Sequence, residues 1–290
     1  MGLGGYVEPN GAQLPQHGPD IPAAGPAKKA ADQRRRADTI AAEVNLWMWD
    51  ERDQLYYDVN DKGSLIRWKT IASFWPMLSG ISGPEQNEMM ARHLFDTASF
   101  WRKTPFPSLA ADMPYYHPMG RYWQGGVWAP CNYMVIKGLE NAGFDSLAHV
   151  ASLKYLHSIY QVYASSRTLW ECYAPDSLSP AYGEYTDQWV HRDFAGWTAL
   201  APISLFIENI IGINVRVPEK KICWSPRSTK RAGIKNLALG NKRVSLIYHP
   251  ETDLLEIDTD AQGYELYLSK RNGAKHKLAL LSGRYDLRTL

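Results

Sequence analysis

The stretch that decides the fold is residues 193–212, DFAGWTALAPISLFIENIIG, because the periodicity of the sequence changes where it ends. Up to Ile210 the apolar residues follow a helical spacing and predict the most apolar helix of the chain. After Gly212 apolar and polar residues alternate, as they do over residues 244–248, and this pattern predicts strands. The sequence therefore predicts a helical domain followed by a small antiparallel, β-sandwich-like domain over residues 214–290.

Working back from Gly212, apolar spacing together with Gly and Pro stop signals predicts six helices. Their predicted bounds are Ala27 to about Trp49, Ile71 to Leu78, Pro84 to about Thr97, Trp128 to Ala142, Asp145 to Tyr163 and Asp193 to Ile210. They come in pairs, so residues 27–213 are predicted to be mainly α and to contain three helical hairpins. Residues 1–26 have repeated Gly and Pro without apolar periodicity and are expected to be extended.

Composition narrows the class of protein. No apolar run is long enough for a membrane span, and no secretory signal is visible, so we expect a cytoplasmic protein without a membrane partner. The three cysteines, Cys131, Cys172 and Cys223, have no metal-ligand spacing, which predicts free thiols and no metal. The tail over residues 214–290 is basic, with 15 Lys and Arg against 8 Asp and Glu. We interpret this charge as a solvated face and expect no nucleic-acid partner.

The irregular connections, residues 102–125 and 164–192, hold most of the candidate site residues, and loops of this length are usually functional. Glu171 lies between Trp170 and Tyr173, an environment that suits a proton-transfer group, although a glutamate between aromatic residues is more often a hydrogen-bonded structural residue. Glu184 follows a glycine and has tyrosines near it, with the same two interpretations.

A second motif, residues 122–130, places Trp123, Gln124 and Trp128 around a Gly pair. The two indoles could form a wall on which a sugar ring stacks, and Gln124 could bond vicinal hydroxyls or only the backbone. Ten of the eleven tryptophans lie between residues 47 and 197, which suggests a lined cleft. For Trp47, Trp75 and Trp101 the sequence favours a place in the helical core.

Four further residues are weaker candidates. Asp112 precedes a Pro-containing turn and is either a turn residue or a ligand contact. Asp193 is expected to cap the sixth helix. His117 and His191 lie in the aromatic loops, where histidines more often bond the loop than act as catalysts. The sequence contains no dinucleotide fingerprint, phosphate loop, nucleophile elbow or zinc-protease motif, and we expect no cofactor.

Together these motifs resemble the C-terminal half of the inverting six-hairpin (α/α)6-barrel glycosidases, which include trehalases, family 63 glucosidases and mannosylglycerate-hydrolase-like enzymes. The resemblance covers about residues 27–213 and rests on the number and order of its motifs. Its carriers are Met48-Trp49-Asp50 with Tyr56-Tyr57-Asp58, Pro107-Ser108-Leu109, Tyr122-Trp123-Gln124-Gly125 with Trp128 and Asn132-Tyr133-Met134, Trp170-Glu171-Cys172-Tyr173 with Pro175, and Phe194-Ala195-Gly196-Trp197.

The resemblance implies a glycosidase that inverts an α-glucoside or α-mannoside. It makes Glu171 the general base that activates water, and Glu184 a contact for substrate hydroxyls. We add Trp123, Gln124, Trp128, Tyr173, Asp112 and Trp197 as candidate substrate-binding residues. Family 63 relatives usually have Arg where this chain has Gln124, so that contact differs here.

The family places its general acid, an Asp, before the region matched by Ala27, and that motif is absent. Inversion needs a carboxyl group on each side of the bond. Three hairpins instead of six also predict an incomplete toroid. The chain could be a fragment, one piece of a two-chain enzyme whose partner is the missing half-barrel, or a degenerate relative, and the sequence favours the fragment. The alternatives are a non-catalytic carbohydrate-binding module and a six-hairpin epimerase or lyase.

Overall fold

The computed structural model of the protein describes residues 26–289. The extended segment predicted over residues 1–26 thus lies, apart from Pro26, outside the described residues. The chain divides into two compact units, residues 1–43 and 44–290. The described residues of the first unit, 26–43, belong to a single helix.

The described residues contain six α-helices. They are α1 Pro26–Trp47, α2 Trp75–Ser79, α3 Pro84–Leu94, α4 Ala129–Asn141, α5 Asp145–Ser166 and α6 Gly196–Leu205. A 3-10 turn over Ile71–Phe74 leads into α2, and a π-helical turn over Phe206–Ile211 continues α6. The six helices predicted from the sequence are therefore all present, with ends that shift by a few residues.

Glycine and proline mark the starts and ends of helices at positions that the sequence predicted. Gly80 follows α2 in the left-handed conformation (φ 70°), which an L side chain rarely adopts. Pro84 is the first residue of α3, where a missing N–H costs nothing. The last helix starts later than predicted: residues 193–195 were expected to belong to it and are not helical.

Two short hairpins follow α1. The strands are β1 Trp49–Asp50, β2 Leu55–Tyr56, β3 Asp58–Val59 and β4 Leu65–Ile66, with β1 paired to β2 and β3 to β4. The carboxylate of Asp50 is buried and accepts the backbone N–H groups of Arg52 and Asp53, both at 2.9 Å, and the Nε of Arg67 at 2.8 Å.

After Gly212 the chain forms two four-stranded sheets. The strands are β5 Ile213–Arg216, β6 Lys221–Trp224, β7 Ala232–Leu239, β8 Lys242–His249, β9 Leu254–Thr259, β10 Glu265–Ser269, β11 Lys275–Ala279 and β12 Gly283–Asp286. Their orders are β11-β10-β6-β5 and β12-β9-β8-β7. All pairs are antiparallel except β6 with β10, which run parallel.

The sheets pack their apolar faces together, as the alternation predicted. Val244, Leu246 and Tyr248 of β8 are buried and share one core with Leu266 and other residues of the opposite sheet. A separate and larger core joins the helices to the loops between them. Helices hold 36% and strands 23% of the described residues, so this part of the chain combines helix and sheet and is less dominated by helix than predicted.

Two predictions about tryptophan are wrong. Trp47 is 58% exposed and Trp75 is 41% exposed, whereas only Trp101 packs against the helical core. Helical spacing places a residue on a face but does not show which face another element covers. The three cysteines are free thiols, as predicted. None of the described helices combines the length and the apolar character that crossing a membrane requires.

Candidate active site

Glu171 lies at a bend between the isolated β-bridges of Trp170 and Tyr173, and both its N–H and its carbonyl are hydrogen-bonded to other parts of the chain. Its backbone N–H donates to the carbonyl of His191 (2.9 Å), and its carbonyl accepts the indole N–H of Trp197 (3.2 Å) and the hydroxyl of Thr198 (3.4 Å). Two residues along, Tyr173 pairs with Val127 through two backbone bonds. The position of the Glu171 backbone is therefore fixed by three separate segments of the chain.

The Glu171 side chain is buried, with 6% exposure, and one of its oxygens has a partner. The hydroxyl of Tyr122 donates to Oε1 at 3.0 Å. Burial raises the pKa of Tyr122, and the hydrogen bond and negative charge of Glu171 raise it further. Tyr122 therefore stays protonated at neutral pH and holds the carboxylate in one orientation. Within residues 26–289 no hydrogen bond reaches the other oxygen, Oε2.

Tyr122 belongs to the Gly-rich turn that the sequence singled out, and Ser108 holds this turn in place. The Ser108 hydroxyl donates to the carbonyl of Trp123 (3.1 Å) and accepts the N–H of Gly125 (3.2 Å). Its backbone N–H donates to the carbonyl of Gly126 (3.0 Å). The Pro107-Ser108-Leu109 motif thus supports the turn over residues 122–126, called the tryptophan turn below.

Gly126 is required by close backbone packing in this turn. A Cβ at this position would lie 2.3 Å from the carbonyl oxygen of Tyr122 and 3.3 Å from the Nε1 of Trp128. The N–H of Gly126 donates to the same Tyr122 carbonyl at 2.9 Å. Any larger residue would therefore displace the backbone of Tyr122, and the hydroxyl that binds Glu171 with it.

Aromatic rings form a shelf beside Glu171. Trp123 and Trp128 stack with centroids 4.6 Å apart and planes 17° apart, and Tyr122 meets Trp128 edge-on at 4.7 Å. Trp197 lies 6.2 Å from Trp128. Trp128 is buried, while Trp123 is 54% and Trp197 is 41% exposed. The exposed indoles of Trp123 and Trp197 offer apolar faces of the kind on which sugar rings stack, whereas the predicted wall partner Trp128 supports Trp123 from within the core.

Glu184 occupies a different environment. It is exposed and lies on a turn closed by the bond from the N–H of Gly183 to the carbonyl of Gln188 (2.9 Å). The same loop bonds the tryptophan turn, since the N–H of Tyr122 donates to the carbonyl of Tyr182 (3.0 Å). The negative charge of Glu184 adds, as the smallest of the causes, to the raised pKa of Tyr122. Glu171 and Glu184 thus border the same tyrosine, but only Glu171 is held rigidly.

Two other predicted residues lie away from the shelf. Tyr173 is 1% exposed, and burial raises its pKa to about 12, so its ring belongs to the core. Asp112 pairs with Lys69 and accepts the hydroxyl of Ser99 at 3.3 Å. Gln124 lies in the turn that carries Trp123, where its backbone carbonyl accepts the N–H of His117 (2.7 Å).

The prediction that Asp193 caps the last helix is wrong. That helix begins at Gly196 with Ala195 at the cap position. Asp193 instead has a left-handed backbone (φ 56°) and accepts the hydroxyl of Thr168 at 2.6 Å. Asp193 therefore links two loops, because its side chain bonds to the hydroxyl of Thr168, 25 residues away, and does not cap the helix.

Both histidines accept hydrogen bonds from backbone N–H groups of the loops. Nδ1 of His117 accepts the N–H of Met119 at 3.1 Å, and burial, assisted by the charge of Arg121, lowers the pKa of His117. His191 is exposed, and its carbonyl binds Glu171 as described above. Among residues 26–289 no three His, Cys, Asp or Glu side chains are grouped in a way that could hold a metal ion.

Tyr122 is the residue whose role sequence reasoning missed. It stood in the quoted turn, yet its partner Glu171 is 49 residues away. The supporting bonds to Glu171 from Trp197 and Thr198 span 26 and 27 residues. Spacing of this kind follows no local period, so only the order of the motifs hinted that these segments meet.

Two curated proteins are similar in sequence. An uncharacterised protein of Borreliella burgdorferi is 29% identical over 262 residues, which are 88% of this chain and 55% of that protein. The mannosylglycerate hydrolase of Thermus thermophilus is 32% identical over 114 residues, 38% of this chain and 26% of the enzyme. The chain thus spans about half the length, or less, of the curated relatives that it matches.

A solved structure supports the fold. The neutral trehalase of Saccharomyces cerevisiae superposes with a TM-score of 0.50 and 16% identity, over 62% of this chain and 31% of the trehalase. Residues 22–191, more than half of the chain, match the profile of the mannosylglycerate hydrolase MGH1-like glycoside hydrolase domain. The resemblance inferred from the motifs is confirmed, and the chain belongs to the family of MGH1-like glycoside hydrolase domains.

Proposed function

We propose that this glycoside hydrolase domain takes part in the hydrolysis of an α-mannoside or α-glucoside with inversion, and that Glu171 is the general base. The observation that carries the proposal is the arrangement of the Glu171 carboxylate. Tyr122 holds one oxygen, while Oε2 has no hydrogen-bond partner among the described residues and is free to bind a water. The name of the Thermus relative makes mannosylglycerate the first substrate to test.

In this mechanism Oε2 of Glu171 removes a proton from a water whose oxygen attacks the anomeric carbon. The new bond joins that carbon to the water oxygen, and the bond to the leaving oxygen breaks on the opposite face. A general acid protonates the leaving oxygen. Tyr122 and the backbone bonds of Glu171 keep the base in place during the reaction, which is the preorganisation that catalysis needs.

We assign the sugar-binding role to the aromatic shelf, with the exposed faces of Trp123 and Trp197 as stacking surfaces. Gln124 and Glu184 supply polar groups for sugar hydroxyls at its edge. Tyr173 is left out of the binding set because its ring is buried. We further propose that the general acid lies outside residues 27–213, within a partner half-barrel that completes the toroid. The domain division at residue 213 and the cytoplasmic location stay predictions.

Glu171→Gln tests the assignment, with hydrolysis and binding measured side by side. Gln keeps the hydrogen bond from Tyr122 but cannot accept the proton of the attacking water. We expect turnover of mannosylglycerate by the assembled enzyme to fall at least 1000-fold, about the size of a lost general base, while titration calorimetry shows sugar affinity nearly unchanged. Glu184→Gln, on the exposed turn, serves as the matched control and should mainly weaken binding. Wild-type turnover by Glu171→Gln would reject the proposal.

A carbohydrate-binding role without catalysis is the second candidate, favoured by the exposure of the Trp123 and Trp197 rings. It predicts sugar binding that depends on these rings and no hydrolysis even when a partner half-barrel is present. The chain alone is expected to hydrolyse neither α-mannosides nor α-glucosides above background. Turnover by the chain alone would show that the general acid lies within it.

A further inference from the structure

A second pair of exposed aromatic rings lies apart from the shelf. Trp68 is 39% exposed and Tyr115 is 73% exposed, and their centroids are 5.9 Å apart with planes at 35°. The same two segments of the chain are joined by an ion pair, formed by Lys69, which follows Trp68, and Asp112, three residues before Tyr115. We call these four residues the outer platform. The mechanism above does not use them.

The backbone of Tyr115 has a conformation that needs a reason. Its φ is 69°, in the left-handed region that a bulky side chain rarely adopts. The turn is fixed on both sides, because the N–H of Met113 donates to the carbonyl of Ala110 (3.1 Å) and that of Tyr116 to the carbonyl of Met113 (3.2 Å). The outcome is a large ring held in solvent next to Trp68. Strained backbone that presents an exposed side chain is a common feature of ligand-binding sites.

The outer platform is tied to the shelf by one segment. Residues 108–110 pair with residues 69–71: the N–H of Ala110 donates to the carbonyl of Lys69 (2.9 Å) and the N–H of Ile71 to that of Ser108 (3.0 Å). Ser108 is also the residue whose hydroxyl holds the turn of Trp123. Residues 108–110 are therefore hydrogen-bonded to the segments that carry both aromatic surfaces.

The backbone also limits how far apart they lie. Tyr115 is two residues from His117, whose N–H donates to the carbonyl of Gln124, the neighbour of Trp123. With 3.8 Å between successive Cα atoms, the Cα atoms of Tyr115 and Trp123 are within about 18 Å. A ligand of a few linked rings can span any separation up to this limit.

The chemistry of the outer platform suits a sugar. The ring pair offers apolar faces for the C–H face of a pyranose, and the same two segments of the chain carry a carboxylate, Asp112, and an ammonium group, Lys69, of the kinds that bind hydroxyls. We propose that the outer platform is an additional sugar-binding subsite, so that the ligand of this domain is an oligosaccharide that extends beyond the unit bound next to Glu171. The proposal rests on the proposed function, whose site it lengthens.

Titration calorimetry with D-mannose, α-linked mannotriose and maltotriose tests the subsite. We expect a trisaccharide to bind roughly ten-fold more tightly than the monosaccharide, and Trp68→Ala or Tyr115→Ala to remove about five- to ten-fold of that affinity, the usual size of one aromatic contact. Affinity for D-mannose should not change. The controls are Trp47→Ala and Tyr160→Ala, which remove rings of 58% and 64% exposure elsewhere on the surface.

The outcomes separate this inference from the assignment of Glu171. Equal affinity for mannose and both trisaccharides, or a length dependence that survives both platform variants, overturns the subsite and leaves Glu171 untouched. A length dependence lost in both variants, together with full turnover by Glu171→Gln, supports the subsite and rejects the base. If none of the three sugars binds, the subsite is overturned, and turnover by Glu171→Gln still decides the assignment of Glu171.

Discussion

Replacing Asp50 with Asn perturbs the buried carboxylate that organises the first two hairpins. Asp50 is 4% exposed and accepts two backbone N–H groups on Oδ1 and the guanidinium of Arg67 on Oδ2. In Asp50→Asn the remaining oxygen can keep the two backbone bonds. The amide NH2 then faces Arg67, where it donates and cannot accept.

The expected loss is the bond to Arg67. A hydrogen bond to a charged group contributes about 1.5–3 kcal/mol, and half of the Arg67 side chain, 47%, is exposed and can be rehydrated. We therefore expect Asp50→Asn to lower the free energy of unfolding by about 2 kcal/mol at pH 7. For a chain of this size the melting temperature would fall by roughly 5 °C.

The direction in which the stability loss changes with pH follows from the pKa of Asp50. Burial alone would raise the pKa of Asp50, but the N–H of Asp53 and the Arg67 guanidinium outweigh it, so the folded pKa lies below the unfolded value near 3.9. A carboxyl group with a depressed pKa stabilises the fold above its unfolded pKa and loses that contribution as pH falls through the folded pKa. The difference between wild type and Asp50→Asn should thus be full at pH 7 and shrink below about pH 4.

Urea unfolding followed by tryptophan fluorescence at pH 7 and pH 3.5 measures the loss in free energy of unfolding and its change with pH. Asp58→Asn is the matched control, since Asp58 lies in the neighbouring strand β3 and is exposed, and it should change the free energy by less than about 0.5 kcal/mol. A loss in Asp50→Asn no larger than in this control would refute the reasoning. So would a loss at pH 3.5 that equals the loss at pH 7.

Two further substitutions test the site turn and the β core. Gly126→Ala places a Cβ 2.3 Å from the carbonyl of Tyr122, so we expect a loss of about 3 kcal/mol in urea unfolding and a changed near-UV circular dichroism. Gly83→Ala, whose Cβ would be 3.7 Å from its nearest neighbour, should be tolerated, and equal effects would argue against the clash. Leu266→Ala removes a fully buried side chain from the core between the sheets and should cost about 3 kcal/mol, whereas Leu281→Ala, 57% exposed, should cost little; similar losses from both would contradict the packing described.

The elements of this fold that follow local rules could be predicted from sequence. Alternation placed Val244, Leu246 and Tyr248 on the buried face of β8, and the 3.6-residue period predicted each of the six α-helices within residues 26–289. Helix ends with Gly or Pro, such as Gly80 and Pro84, were placed well because their backbone chemistry is local. The parallel pairing of β6 with β10 could not be predicted, because strand order depends on contacts between distant segments.

The site shows the same division. The aromatic turn and both glutamates were visible, since unusual composition marks them. The partnership of Tyr122 with Glu171, the ion pair of Asp112 with Lys69 and the bond of Thr168 to Asp193 were not, because each joins residues that are 25 or more positions apart. For Asp193 the local rule predicted a helix cap, and a tertiary contact overrode it.

The contrast between Glu171 and Glu184 is the strongest argument for giving them different roles. A general base must keep its oxygen in position while a proton moves, and Glu171 is held through its N–H, its carbonyl and its Oε1 by three different parts of the chain. Glu184 lies on an exposed turn, where its side chain can follow a hydroxyl but cannot be preorganised. Loss of preorganisation costs rate, whereas loss of an adaptable contact costs affinity. Removing the carboxylate of Glu171 should therefore lower kcat, and removing that of Glu184 should raise KM.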